Sequence, residues 1–438
     1  MTNSSSAELL KLRPPKTVLQ ITKDLEAAGF EVWAVGGAVR DALLGLLHLD
    51  WDLATNATPD QVREVFGRKR TIPVGIEFGT VGVLDRDGRL HEVTTFRRDV
   101  RTDGRHAEVE FGASLPEDLA RRDFTINAIA YSPSRGEIQD PFDGRGDLQR
   151  RVIRAVGNAA DRMREDRLRA LRAIRFAARF DFRLDDATWQ AVVNSAPHLG
   201  RLSAERVKQE LEKTMDQIAA PSRALIMWRD SGAFAALIPG LRDVSDGLLR
   251  AVDCAATPGP PRRPGRRLVR LAVLFSEVPA ERLYAIAMGL KLSKADAAWI
   301  ASLGGLWQSL RDELTAAVAD RPDDRRIRHL VSRIGRPKLH AFFRVAAAHW
   351  GSGRPVGDAS PAAQAVHSLY RRSLRIAMRD PVDLRDLAID GDDLRQVGIR
   401  PGPDLGKILS SLLGLVLDDP GMNTRERLLE EARRLASA

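Results

Sequence analysis

The sequence predicts an α+β chain, with an α/β head followed by a long all-helical remainder. Over roughly the first 140 residues, period-two runs are interleaved with helical ones. From about Arg150 onward the strand signals fade, and helical periodicity dominates to the end. Length adds a third constraint: 438 residues exceed a single core, so about two to four domains are expected.

In chain order, "MTNSSSAELLKLRPP" lacks the apolar segment of a signal peptide and reads as a frayed start. "FEVWAVGG" alternates like a strand and stops at Gly36 and Gly37, and a helix follows from near Ala38. "LDWDLA" reads as a further strand. "FGTVGVLDRDGRLHEVTTFR" reads as two strands about an Asp87-Gly88 turn. "RRDVRTDGRHAEVEFGAS" is polar and turn-rich and reads as a surface loop. Within the helical part, Thr257 to Arg267 and Gly351 to Pro361 break the pattern as loops or joints. There is no repeat of fixed period and no low-complexity tract.

Arginine and lysine total 68 against 59 acids, a net charge of +9 with a pI near 10.0. That balance favours a polyanionic partner, nucleic acid before anionic membrane, although an arginine-rich genome composition produces the same excess. The single cysteine, Cys254, excludes an internal disulfide and a cysteine-based zinc cage. No apolar run reaches the roughly 18 residues of a membrane span, so a soluble, cytoplasmic protein is expected.

The first chemical signal is Asp50-Trp51-Asp52 downstream of "VGGAVRDALLG". A glycine pair such as Gly36 and Gly37 lets backbone approach a phosphate, and Arg40 adds a fork of donors suited to a triphosphate. Strand alternation puts Asp50 and Asp52 on one face. Two such carboxylates can hold Mg²⁺, which takes its remaining oxygens from water and substrate phosphate. Together these features read as nucleotidyl transfer. A second Asp-x-Asp, Asp85 and Asp87, lies in the hairpin turn and needs no function.

"VGGAVRDALLGLLHLDWDLAT" resembles the first signature of the class II tRNA nucleotidyltransferase and bacterial poly(A) polymerase family. "RTIPVGIEFGTVGV", "RRDFTINAIAY", "DPFDGRGDLQRRVIRAVGNA", "REDRLRALRAIRFAARF" and "RLSAERVKQELEKTM" resemble further family blocks in family order, over most of residues 30–215. The resemblance implies a small mixed-sheet, polymerase-β-like nucleotidyltransferase head (1–148), a helical neck that selects the nucleobase (149–216), a helical body (217–350) and a helical, tRNA-binding tail (351–438).

In "EDLARRDFTINA" an acidic-then-basic cluster reads locally as a solvated helix end. The resemblance assigns Arg122 to the incoming nucleotide, with Asp123 and Asn127 in supporting positions. In "REDRLRALRAIRFAARF", Leu168, Leu171 and Ile174 form an apolar stripe, while Asp166, Arg169, Arg172 and Arg175 recur every third residue. A basic solvated face with an intrahelical ion pair is one reading. Hydrogen-bond complementarity supplies another. Cytosine and adenine each present an amine beside a ring-nitrogen acceptor, so a carboxylate and an arginine can read both without a template. Uracil and guanine present a carbonyl where the amine would be. Matching the family block residue by residue gives Asp166 and Arg169 that selection, and gives Arg172 and Arg175 the ribose or triphosphate.

The polar segment from Arg97 to Ser114 resembles a mobile loop that helps CCA-adding relatives switch from C to A. Some relatives carry a metal-dependent phosphohydrolase domain marked by a His-Asp pair. No histidine here is followed by aspartate, and the body reads as scaffold. In "DLAIDGDDLRQVGIRPGPDLGKILSSLL" a helix ends near Gly398 and another begins near Pro403. The segment resembles the tail of CCA-adding enzymes. The expected activity is addition of C, C and A to tRNA from CTP and ATP with Mg²⁺. An enzyme adding only CC or only A, a poly(A) polymerase, and a catalytically silent RNA-binding protein are the alternatives.

Overall fold

The computed structural model describes residues 12–46, 50–102, 107–255, 265–351, 362–399 and 402–437. They form two compact units. One runs up to Glu210 and includes Met227–Pro239, and the other holds Leu211–Ile226 and the chain from Gly240 onward.

The first unit opens with helix α1 (Lys16–Ala27) and strand β1 (Val32–Val35), all four of whose residues are buried. The chain then turns through Gly36 into the short helix α2 (Gly37–Leu43), close to the expected start. Strand β2 (Asp52–Thr55) runs back antiparallel to β1, with Asp52 opposite Val35. It is shorter than expected: Asp50 lies just ahead of it, outside the ladder. Helix α3 (Pro59–Phe66) begins at a reciprocal Thr58–Gln61 capping box, which satisfies two backbone donors at once. Strands β3 (Thr71–Gly75), β4 (Thr80–Leu84) and β5 (Leu90–Thr95) follow, with β4 and β5 joined around Gly88 at φ 76° as the Asp-Gly signal required.

The segment expected as a loop forms a two-stranded ribbon, β6 (Arg97–Thr102) with β7 (Ala107–Phe111). Its tip lies outside the described residues. Helix α4 (Leu115–Ala120), strands β8 (Ala130–Tyr131) and β9 (Ile138–Gln139), and helix α5 (Gly144–Arg150) complete the head. Its mixed sheet has the order β3-β4-β5-β2-β1-β8-β9, in which only β2 and β5 are parallel neighbours. Trp33, Val35, Ala54, Phe96, Leu119 and Ala130 form the core between sheet and helices.

Strand β10 (Val152–Ile153) leads to helices α6 (Ala159–Glu165) and α7 (Leu168–Phe180). Strand β11 (Arg183–Leu184) returns parallel to β10, a small pairing that helical periodicity did not signal. Helices α8 (Asp186–Ser195) and α9 (Ala204–Gln217) follow.

The second unit is helical. Its longest helix, Lys294–Asp320, has 27 residues. Arg270 is fully buried and donates to the carbonyls of Met215, Ile218 (2.9 Å) and Ala219 (2.7 Å), satisfying acceptors at and just beyond the end of α9. Burial pulls its pKa down to about 10. His349 stacks on Trp307 at 4.4 Å and shares a 3.0 Å hydrogen bond with Ser276, all three buried. That is a packed polar core. A last cluster, Leu394, Leu412, Val416, Leu428 and Ala432, closes the C-terminal helices, one of which starts at Pro403 as expected. The expected joints at Thr257–Arg267 and Gly351–Pro361, and part of the Pro-Gly-Pro turn, lie largely outside the described residues. Among the described residues no helix is long and apolar enough to cross a membrane.

Candidate active site

The Gly36 turn organises the head. Gly36 has φ 74° and ψ −132°, a conformation open to glycine and costly for a side chain. A Cβ there would also sit 3.0 Å from Nη1 of Arg122, so two separate chain segments converge at this glycine. Across the ladder, Asp52 starts β2 opposite Val35, one residue before the turn. Asp50 and Asp52 are both exposed, and Trp51 between them is 3% exposed. The exposed–buried–exposed order is the alternation that the sequence predicted, although only Asp52 belongs to the strand.

Sequence reasoning missed one acid. Leu53 pairs with Val93 in the parallel β2–β5 ladder. One residue back, the exposed Glu92 therefore stands beside Asp52 on the same sheet face. The alternation in "RLHEVTT" marked Glu92 as outward-facing, but only the pairing of β5 with β2 could place it near the aspartates. Among the described residues no three metal-ligating side chains converge as a ready-made cage. The two aspartates with Glu92 alongside offer oxygen donors in solvent, which suits a hard divalent cation such as Mg²⁺.

Arg122 is set from below by Asp118, which is 1% exposed and accepts from Arg121 and Arg122 at 3.0 Å each. Burial pushes the Asp118 carboxyl up, and the charges of Arg122 and Arg121 outweigh it, leaving it below the usual range. The "EDLARR" cluster is thus an anchored pair of arginines, and not the solvated helix end of the local reading. The C-terminal carbonyls of α4 are taken up by the neck: Arg162 donates to Ala120 at 3.1 Å and Arg169 to Arg121 at 3.0 Å.

Arg40 is placed differently from the expectation of a fork presented to phosphate. It is 3% exposed, donating to Asp41 at 2.7 Å and to Asn127 at 2.5 Å. Its guanidinium lies over Phe176 at 5.1 Å and Phe180 at 4.7 Å. It therefore supports the turn from within: a Cβ on Gly37 would meet it at 3.5 Å.

From Arg40 a circuit of hydrogen bonds runs through the unit. Asn127 donates to Asp123 at 2.8 Å, and Asp123 accepts from Arg172 at 2.8 Å. Arg179, two turns along α7 from Arg172, donates back to Asp41 at 3.4 Å. The circuit Asp41–Arg40–Asn127–Asp123–Arg172, closed through α7 and Arg179, ties the Gly36 turn to the neck. Burial pushes Asp123 up, but Arg172, Asn127 and the Phe124 N–H hold it below the usual carboxylate range. Arg172 is raised in turn by Asp123.

Asp166 and Arg169 are not paired with each other. Asp166 sits between α6 and α7 in extended backbone (φ −145°, ψ 105°), accepting from the Leu168 N–H at 3.0 Å and from Arg206 at 2.8 Å. Arg169 is held by Glu165 at 2.6 Å and by the carbonyls of Arg162 and Arg121. Arg172 remains about a third exposed, at 31%. Arg175 is buried, donating to Glu210 at 2.6 Å with its guanidinium 4.4 Å from the Phe176 ring, so it faces the interior.

The head matches the family model described as "Poly A polymerase head domain" over residues 32–154. Residues 181–244 match "Probable RNA and SrmB- binding site of polymerase A", and residues 354–432 match tRNA nucleotidyltransferase domain 2. The CCA-adding enzyme of Lactobacillus delbrueckii subsp. bulgaricus is 35% identical, over 98% of this chain and 99% of that one. The CCA-adding enzyme of Latilactobacillus sakei subsp. sakei is 37% identical, over 95% and 97%. The solved Bacillus stearothermophilus CCA-adding enzyme in complex with CTP superposes with a TM-score of 0.73 at 32% identity, covering 96% of each chain. With a polymerase-type head, a carboxylate pair beside a glycine turn, and near full-length likeness to these relatives, the chain is a nucleotidyltransferase that belongs to the CCA-adding enzyme family.

Proposed function

We propose that this chain adds C, C and A to the 3′ end of tRNA from CTP and ATP, without a nucleic-acid template and with release of pyrophosphate. The observation that carries this is the separate anchoring of Asp166 and Arg169. Each is held by other partners and not by its counterpart, Asp166 by Arg206 and the Leu168 N–H and Arg169 by Glu165 and two carbonyls, so an acceptor and a donor stand three residues apart with independent supports. That arrangement matches the shared edge of cytosine and adenine. The relatives' names support the same reading.

Asp50 and Asp52, with Glu92 beside them, would hold the family's divalent ion, taken as Mg²⁺. Such ions supply activation of an attacking hydroxyl and neutralisation of phosphate charge. Arg122 would contact the nucleotide at the Gly36–Gly37 turn, and Arg172 would lie within reach of its ribose or phosphates. Arg40 and Arg175 would act from inside, keeping α2 and α7 in place. We keep residues 1–148, 149–216, 217–350 and 351–438 as head, neck, body and tail, with RNA bound chiefly by the last three. We place it in the cytoplasm, a reading that a tRNA substrate supports.

The test offers tRNAs ending before the first C, after the second C, or complete, with each nucleoside triphosphate singly, and resolves products to one nucleotide. CTP should extend the first by two, ATP should extend the second by one, and the complete tRNA should stay unchanged. Addition of only CC or only A, or an unlimited A tail, would select one of the narrower or poly(A) alternatives. No addition to any of the three tRNAs would overturn the reading.

A further inference from the structure

Helix α9 presents two charged residues one turn apart to the base-reading segment, and they grip it in opposite polarity. Arg206 donates to Asp166 at 2.8 Å, and Glu210 accepts from Arg175 at 2.6 Å. The second rung is buried at both ends, so it fixes the register of α9 against α7. The first rung is about a third exposed, at 32% for Arg206 and 28% for Asp166, and so lies where a nucleotide can reach it.

Asp166 depends on such support. It lies at the break between α6 and α7, outside either helix, with extended backbone. One carboxylate oxygen is fixed by the Leu168 N–H, and the other has Arg206 as its partner. Arg169, by contrast, is held by Glu165 and two carbonyls, none of which Arg206 touches. The acceptor and the donor of the reading pair are therefore supported separately.

We propose that Arg206 is a positioning residue for base selection: it fixes the plane of the Asp166 carboxylate and leaves a lone pair aimed at the nucleobase amine. Each carboxylate oxygen has two acceptor directions, so a bond from Arg206 does not exhaust Asp166. With Arg206 present, the carboxylate cannot swing away to relieve repulsion against the carbonyl of uracil or guanine. This rests on the reading of Asp166 given above.

The experiment is a double-mutant cycle on the full chain. kcat/KM is measured for CTP, ATP, UTP and GTP with Arg206→Ala, Asp166→Ala and the double variant, and melting confirms the fold. Arg206→Ala should reduce the preference for CTP over UTP by about tenfold, as expected for one misdirected polar contact. It should add little in the Asp166→Ala background, because residues acting through one group are non-additive. Arg206→Lys should restore part of the preference. If Arg206→Ala slows all four nucleotides equally, and does so again without Asp166, then Arg206 touches phosphate and the proposal is overturned. If Asp166→Ala shifts selection and Arg206→Ala does not, Asp166 reads the base without this support, which also overturns it. If neither shifts selection, the reading of Asp166 itself is wrong. Should Arg206→Ala fail to fold, Arg206→Met keeps much of the side chain's apolar stem and its packing without the charge or a donor, and reads the same preference.

Discussion

Replacing Asp50 or Asp52 by alanine is expected to lower nucleotide addition by at least about a thousandfold, since metal-assisted charge stabilisation is worth several kcal/mol and each 1.4 kcal/mol is about tenfold. Both side chains are exposed, and exposed substitutions usually change stability little, so the melting temperature should hardly move. tRNA affinity should also hold, because lysine and arginine contacts to phosphate supply most of the affinity of nucleic-acid-binding proteins in general, and a carboxylate makes none. The check is single-turnover extension at saturating Mg²⁺ alongside a binding titration. Glu92→Ala belongs in the same series and should show a smaller loss in the same step. Activity close to wild type in either aspartate variant would sink the metal assignment.

The second large effect is on stability. Asp123 is the hinge of the circuit that joins the Gly36 turn to α7, receiving Phe124, Asn127 and Arg172. Asp123→Ala leaves Arg172 without its counter-charge and Asn127 without an acceptor. Breaking a largely buried pair at one end costs about 3–5 kcal/mol; with Arg172 31% exposed, the lower end, about 3 kcal/mol, is expected. The midpoint of thermal unfolding should fall by several degrees, and nucleotide KM should rise as Arg172 loses its position. pH supplies a second readout. The folded carboxyl lies below its ordinary value of 3.8, so its contribution is complete above that value and is lost as pH falls through the folded pKa. Asp123→Asn should therefore lose stability near neutrality and show a shallower acid limb than wild type. An unchanged melt in both variants would mean the circuit is ornamental.

Much of this architecture was legible because its signals are local. The Gly36–Gly37 stop, the Asp87-Gly88 turn and the outward aspartates each follow from backbone rules acting over a few residues. The less legible features depend on partners far along the chain. Arg40 looked like a phosphate ligand because nothing nearby announces Asn127 or the Phe176 and Phe180 rings that enclose it. Glu92 was overlooked because its meaning lies in a parallel pairing with β2. Asp166, Arg169, Arg172 and Arg175 recur every third residue, yet Asp166 lies outside α7, and within the helix each third-residue step falls about 60° short of a full turn. Between Arg172, 31% exposed, and Arg175 that step carries the side chain into the interior, onto Glu210. The ribbon β6–β7 was read as a loop because its charged, polar composition resembles that of coil, and the pairing that makes it a ribbon is not written in either segment alone.

The central claim is that two side chains do the work of a template, and the most direct measurement is kcat/KM for all four nucleotides on one tRNA, for wild type and Asp166→Ala. Removing the carboxylate deletes the acceptor for the amine of C and A and also the repulsion against the carbonyl of U and G. Each such contact is worth roughly 1–3 kcal/mol, so UTP and GTP should gain on CTP and ATP by about five- to a hundredfold. If Asp166→Ala instead slows all four by the same factor, Asp166 serves only to cap α7 through the Leu168 N–H, and the base is read elsewhere.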